Sequence, residues 1–113
     1  MMYLMTLDVT GLTPEEYRAV ADRMAVESQP SPNIFLHIAT TNEGGLRVIE
    51  IWDNEDRFQE FLQNRMTPAN RALGIDHKAT ITVKPLLNFF GPRMTELPGI
   101  APSLPSGPHS QTK

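Results

Sequence analysis

Two short apolar runs joined by a Gly-Gly turn, the second ending in a tryptophan that leads straight into a helix, constrain this chain more than any other feature. The runs are Ile34-Phe35-Leu36-His37-Ile38-Ala39 and Arg47-Val48-Ile49-Glu50-Ile51-Trp52, linked through Asn42-Glu43-Gly44-Gly45. Both read as strands of a hairpin. Side chains alternate across a strand, so the parity of the turn decides which residues share a face. An even loop through Glu43-Gly44 pairs residues whose numbers sum to 87. Phe35 then lies opposite Trp52 and His37 opposite Glu50, which joins an aromatic wall to a possible acid–base pair. The reverse face receives Ile34, Leu36, Ile38, Ile49 and Ile51. That clean sorting into aliphatics favours the even loop, whereas an odd loop would scatter the constellation.

The rest of the chain supplies the partners of this hairpin. Met2 to Val9 is a short apolar run closed by Thr10-Gly11, the mark of a strand. Thr13-Pro14-Glu15-Glu16 starts a helix with a capping box, and Tyr17, Val20, Ala21 and Met24 form its inward stripe. Pro30 and Pro32 bar that helix from continuing. Asp53 or Asn54 caps a second helix with Phe58, Phe61 and Leu62 facing inward, and Thr67-Pro68 suggests a kink and restart that ends at Gly74. Lys78 to Leu87 alternates as a fourth strand. The order β-α-β-β-α-β predicts an α+β, ferredoxin-like domain over residues 1–91 with a four-stranded antiparallel sheet.

From Pro92 to Lys113 five prolines fall among 22 residues with small and polar neighbours. Such a segment cannot bury enough surface to fold alone. It is either a disordered tail or an arm, led by Leu97, Ile100 and Leu104, draped over a partner subunit or a pocket mouth.

Composition excludes several functions. A chain of 113 residues suits one domain. A formal charge of −3 and a pI near 5.5 argue against a nucleic-acid partner. With no cysteine there is neither a disulfide framework nor a thiolate metal site, and His37, His77 and His109 lack ligand spacing. No apolar run approaches the roughly 20 residues that span a bilayer, and Met1 to Val9 lacks the basic start of a signal peptide. A cytoplasmic protein is expected. Both faces of the hairpin are apolar, yet two helices cover only one, so the aliphatic face calls for a second copy of the chain, sheet against sheet.

His37 is a natural general base near neutral pH, with Glu50 placed to orient it and stabilise its cation. The alternative is a structural pair that merely satisfies burial. Trp52 is core or a platform whose N–H holds a substrate oxygen, while Phe35 and Phe58 pack or line a cavity. Tyr17 sits on an inward stripe, so its hydroxyl needs a partner or a pocket. Asn70 and Arg71 cap a helix end or, facing inward, bind a carbonyl or carboxylate. His77, at a strand start, is expected to be exposed.

The Trp52-Asp53-Asn54-Glu55-Asp56-Arg57-Phe58 junction, with Phe35 to Ala39 and Gly45 to Trp52 before it, resembles the antibiotic biosynthesis monooxygenase-like family of the dimeric α/β barrel superfamily. Small actinobacterial members look most similar, and the resemblance covers about residues 2 to 90. It implies a homodimer with a pocket in each subunit and Trp52 on the pocket wall. It also implies cofactor-free chemistry on an enolisable aromatic or polyketide-like molecule, with His37 and Glu50 catalytic and Trp52, Phe35, Tyr17, Phe58 and Asn70 binding substrate. Oxygenation, a non-oxidative isomerisation, cyclisation or elimination, and a non-catalytic binding module all stay open. Haem-degrading relatives carry a histidine late in the second helix. Met66-Thr67-Pro68-Ala69-Asn70-Arg71 has none, so neither haem nor another cofactor or metal is expected.

Overall fold

The structure is a computed structural model and describes residues 1–96. Its elements are β1 (Tyr3–Thr10), α1 (Pro14–Met24), β2 (Ile34–Asn42), β3 (Gly45–Trp52), α2 (Glu55–Phe61), a π-helical turn (Leu62–Met66), α3 (Thr67–Ala72) and β4 (Ala79–Pro85). A short 3-10 turn follows at Met94–Glu96. The arm led by Leu97, Ile100 and Leu104 lies outside the described residues. The strands form one antiparallel sheet in the order β2-β3-β1-β4, the ferredoxin-like arrangement that the element order implies. Among the described residues no helix is long and apolar enough to cross a membrane.

Local chemistry explains where the helices begin and end. Glu16 N donates to Thr13 Oγ1 and Thr13 N donates to Glu16 Oε1, each at 3.1 Å, closing the capping box. α1 stops at Met24, before the prolines would force it to, because Ala25 enters the left-handed region at φ 58. The Arg65 guanidinium donates to the Met24 carbonyl, one of those a helix end leaves unpaired. Asn54 caps α2, its Oδ1 accepting from Arg57 N at 2.8 Å. The restart expected at Thr67-Pro68 is α3, which begins at Thr67, and the irregularity before it takes the form of a π turn. Pro68 has no N–H to offer the Asn64 carbonyl four residues back. Just before it, Thr67 N–H reaches five residues back to the Leu62 carbonyl, which widens the turn.

The hairpin is tight at its turn and irregular at its base. From Leu36 to Asn42 the paired residues sum to 87, with Glu43 and Gly44 as a two-residue loop. The two glycines serve different needs. Gly44 sits at φ +75 with open space around it, whereas a Cβ on Gly45 would lie 2.1 Å from the Val9 carbonyl oxygen. At the base, Asp53 N donates to the Asn33 carbonyl at 3.0 Å and Asn33 Nδ2 donates to Asp53 Oδ2 at 2.8 Å. This double tie joins residues whose numbers sum to 86, one fewer than the turn dictates, and a bulge between Ile34 and Leu36 absorbs the difference. Ile34 therefore opposes Trp52, and Phe35 turns out to 62% exposure. The expected pairing of Phe35 with Trp52 is corrected accordingly.

The core lies between the helices and the inner sheet face, where Met5, Leu7, Leu46, Val48 and Trp52 meet Phe58 and Phe61. The outer face carries Leu4, Leu36, Ile38, Ile49 and Ile51, of which Ile38 is 48% exposed.

Gly45→Ala forces a methyl against backbone and is expected to cost about 1–3 kcal/mol, as overpacking does. Gly44→Ala meets nothing and should cost only the left-handed penalty of about 1–2 kcal/mol. Denaturant unfolding of both variants tests this; a Gly45→Ala protein as stable as wild type would contradict the close approach to Val9.

Candidate active site

Positions 50 and 52 of β3 point to the same side of the sheet, toward the helices. Glu50 is 3% exposed there, and a carboxylate so far from water needs partners. It has two. The Trp52 indole N–H donates to Oε1, with Nε1 at 2.8 Å. Across the strand pair, His37 Nδ1 lies 2.5 Å from Oε2. A carboxylate only accepts, so Nδ1 carries a proton, and in the neutral imidazole Nε2 keeps its lone pair. The Tyr17 hydroxyl, from the inward stripe of α1, donates to that Nε2. The two rings lie nearly parallel, 6.0 Å apart at 19°. A chain of hydrogen bonds thus runs Trp52–Glu50–His37–Tyr17, from the core outward.

The chain ends at a cavity of about 720 Å³ between the helices and the inner sheet face. Its wall is mainly apolar, with Leu7, Val20, Met24, Ile34, Val48 and Phe61 among the lining side chains. Polar groups enter from Tyr17, His37 and Glu50, and from Asn70, Arg71, Asp76 and His77. Burial, helped by the Glu50 and Glu27 carboxylates, pushes the Tyr17 phenol up to about 12. It is a neutral hydroxyl at physiological pH.

Of the side chains singled out in the sequence for a role in the site, the structure brings His37, Glu50, Tyr17, Asn70 and Arg71 to the cavity wall. Trp52 and Phe58 are not on it. Each is 1% exposed, and they meet edge to face with centroids 5.7 Å apart, while Trp52 also packs on Phe61 at 5.4 Å. The reason is proximity in the chain: α2 starts directly after Trp52 and folds its own phenylalanines back over the indole. Phe35 is carried away by the bulge, and Ile34 takes the cavity position in its place.

One pair escaped sequence reasoning. His77 is not an exposed strand-start residue but a half-buried part of the cavity wall, with Nε2 2.9 Å from Glu16 Oε1. The His77 hydrogen bond, followed by that from Thr13, holds the Glu16 carboxyl below its ordinary value. A Cβ on Gly11 would come within 3.2 Å of His77 Nδ1, so the glycine leaves room for the ring. The capping box marks Glu16 in the sequence, but nothing local announces a partner 61 positions away. Among the described residues no three His, Cys, Asp or Glu side chains are grouped to hold a metal ion.

No family model matches the sequence, and no curated protein does. Solved structures do match the fold. SnoaB, a cofactor-independent oxygenase from Streptomyces nogalater, aligns at a TM-score of 0.54 and 20% identity over 78% of this chain and 93% of its own. Rv0793 from Mycobacterium tuberculosis aligns at 0.57 and 14%, over 79% and 99%. A Deinococcus radiodurans protein provisionally described as an antibiotic biosynthesis monooxygenase aligns at 0.55 and 18%, over 80% and 100%. The chain has the ferredoxin-like fold of the antibiotic biosynthesis monooxygenase-type proteins. The Deinococcus match is as good as the Streptomyces and Mycobacterium ones, so no special closeness to actinobacterial members emerges.

The Tyr17 phenol gives the site a signature at alkaline pH. Its folded value of about 12 lies above the ordinary 10.0, so its contribution to stability is complete below about 10 and is lost as pH rises through 12. Ultraviolet titration should show a phenolate step near 12 that is missing from Tyr17→Phe, and that variant should lose less stability over the same range. A wild-type titration with no step above the ordinary tyrosine range would contradict the burial of the hydroxyl.

Proposed function

We propose that this protein is a cofactor-independent small-molecule enzyme that takes a proton from an enolisable aromatic or polyketide-like substrate and, as a monooxygenase, passes the resulting anion to molecular oxygen. The observation that carries this is the hydrogen-bond chain from Glu50 through His37 to Tyr17, which ends on the wall of an apolar cavity large enough for a multi-ring molecule. His37 is the proton acceptor. Glu50 fixes its tautomer and stabilises the imidazolium that forms, and Trp52 holds Glu50 in place. The apolar wall keeps water from the anion.

The electron-rich anion is itself the reductant of oxygen. One oxygen atom ends as a carbonyl on the substrate and the other leaves as water, so no separate electron donor is required. The likeness to SnoaB supports this reading, since that protein is a cofactor-independent oxygenase with the same fold. A purely structural ion pair would be closed off, whereas His37 and Glu50 border the cavity. Non-oxidative isomerisation, cyclisation or elimination would begin from the same anion. Asn70 binds a substrate oxygen in this scheme. A second copy of the chain covers the outer sheet face around Ile38, giving a cytoplasmic homodimer that acts in secondary metabolism.

Oxygen uptake with a panel of anthrones and hydroquinones, with no cofactor added, is the test. Wild type is expected to consume oxygen, and His37→Ala to lose about 10²-fold or more of that rate, the usual contribution of a positioned base. Proton release from the substrate without oxygen uptake would move the protein to the non-oxidative class. Uptake unaffected by His37→Ala would remove His37 as the base.

A further inference from the structure

We propose, resting on the acid–base function above, that Tyr17 is the residue that meets the substrate and that the proton reaches His37 only through the Tyr17 hydroxyl. The geometry at Nε2 points this way. Nδ1 is committed to Glu50, so Nε2 holds the imidazole's one available lone pair, and the Tyr17 hydroxyl already occupies it. A substrate approaching His37 finds both of its ring nitrogens already engaged. It finds the phenol oxygen, whose lone pairs are not used by any hydrogen bond within the described residues. Of the α1 side chains on the cavity wall, Tyr17, Val20, Ala21 and Met24, only Tyr17 carries a polar atom.

The transfer is one concerted relay. The substrate C–H bond breaks and its electron pair stays on the substrate as an enolate. That proton bonds to the Tyr17 oxygen while the proton originally on Tyr17 passes to His37 Nε2. The phenol is neutral before and after, and the imidazolium faces the Glu50 carboxylate. No free tyrosinate forms, in keeping with a hydroxyl whose ionisation is pushed well above neutrality. His37 and Glu50 thus act on the substrate at one remove, and Tyr17 is the catalytic contact rather than a binding residue alone.

The solvent isotope effect on C–H cleavage separates the relay from direct attack by histidine. Anthrone tritiated at C10 serves as probe, and tritium release is followed under nitrogen in H₂O and in D₂O for wild type, Tyr17→Phe and His37→Ala. In the relay an exchangeable hydrogen, that of Tyr17, moves in the same step, so wild-type release should slow in D₂O. Tyr17→Phe should fall by about 10²-fold or more, and its residual release should lose the solvent effect, because the imidazole then takes the substrate hydrogen directly. Wild-type release indifferent to D₂O, or a Tyr17→Phe protein as fast as wild type, overturns the relay while leaving His37 as the base. Wild-type release no faster than buffer overturns the acid–base function and the relay together. The wild-type solvent effect decides the matter even if the variant folds poorly.

Discussion

A carboxylate withdrawn from water in the middle of a sheet must be fully satisfied, and much of this molecule is arranged around that demand at Glu50. Leaving one of its oxygens without a partner would cost about 1–3 kcal/mol, a large share of a small domain's stability. The indole that satisfies Oε1 is two residues along the same strand, and the imidazole that satisfies Oε2 is directly across the strand pair. Trp52 cannot turn toward the cavity without abandoning Glu50, and Phe58 and Phe61 of α2 hold it where it is. The docking of α2 therefore sets the indole, the indole sets the carboxylate, and the carboxylate sets which nitrogen of His37 bears the proton. Packing and acid–base chemistry share one chain of cause.

Much of this could be read from residues alone, for identifiable reasons. The facing of His37 and Glu50 follows from alternation and from a two-residue turn that Gly44 and Gly45 advertise. The inward stripe of α1 marked Tyr17 as a hydroxyl in need of a partner. What stayed hidden depends on contacts between segments far apart in the chain. The bulge that exchanges Phe35 for Ile34 arises from the tie between Asn33 and Asp53, which no local pattern reveals. The pairing of His77 with Glu16 requires the end of the fold to meet its beginning. Trp52 was recognisable as important, but its place behind the site, and not on its surface, comes from the path of the helix that follows it.

The helical wall of the cavity shows a similar dependence on a single residue. Where Pro68 withholds its N–H, the helix widens into a π turn, and Leu62, Met66, Thr67 and Asn70 from this stretch all reach the cavity. Proline here does not end the helix; it changes its pitch over one turn and so alters which side chains face the sheet.

The bulge at the base of the hairpin divides the chain into two zones with opposite tolerance to changes of length. A single residue gained or lost between α1 and β2 can be taken up at Phe35, because that irregularity already reconciles two conflicting counts. The register from Leu36 onward, and with it the meeting of His37 and Glu50, is then untouched. At the Glu43-Gly44 tip an added residue has to be absorbed by the loop itself, as a three-residue turn with a bulge, or it displaces His37 from Glu50. A change of length in the first connection thus leaves the acid–base pair alone, while one at the second acts directly on the turn that sets its register.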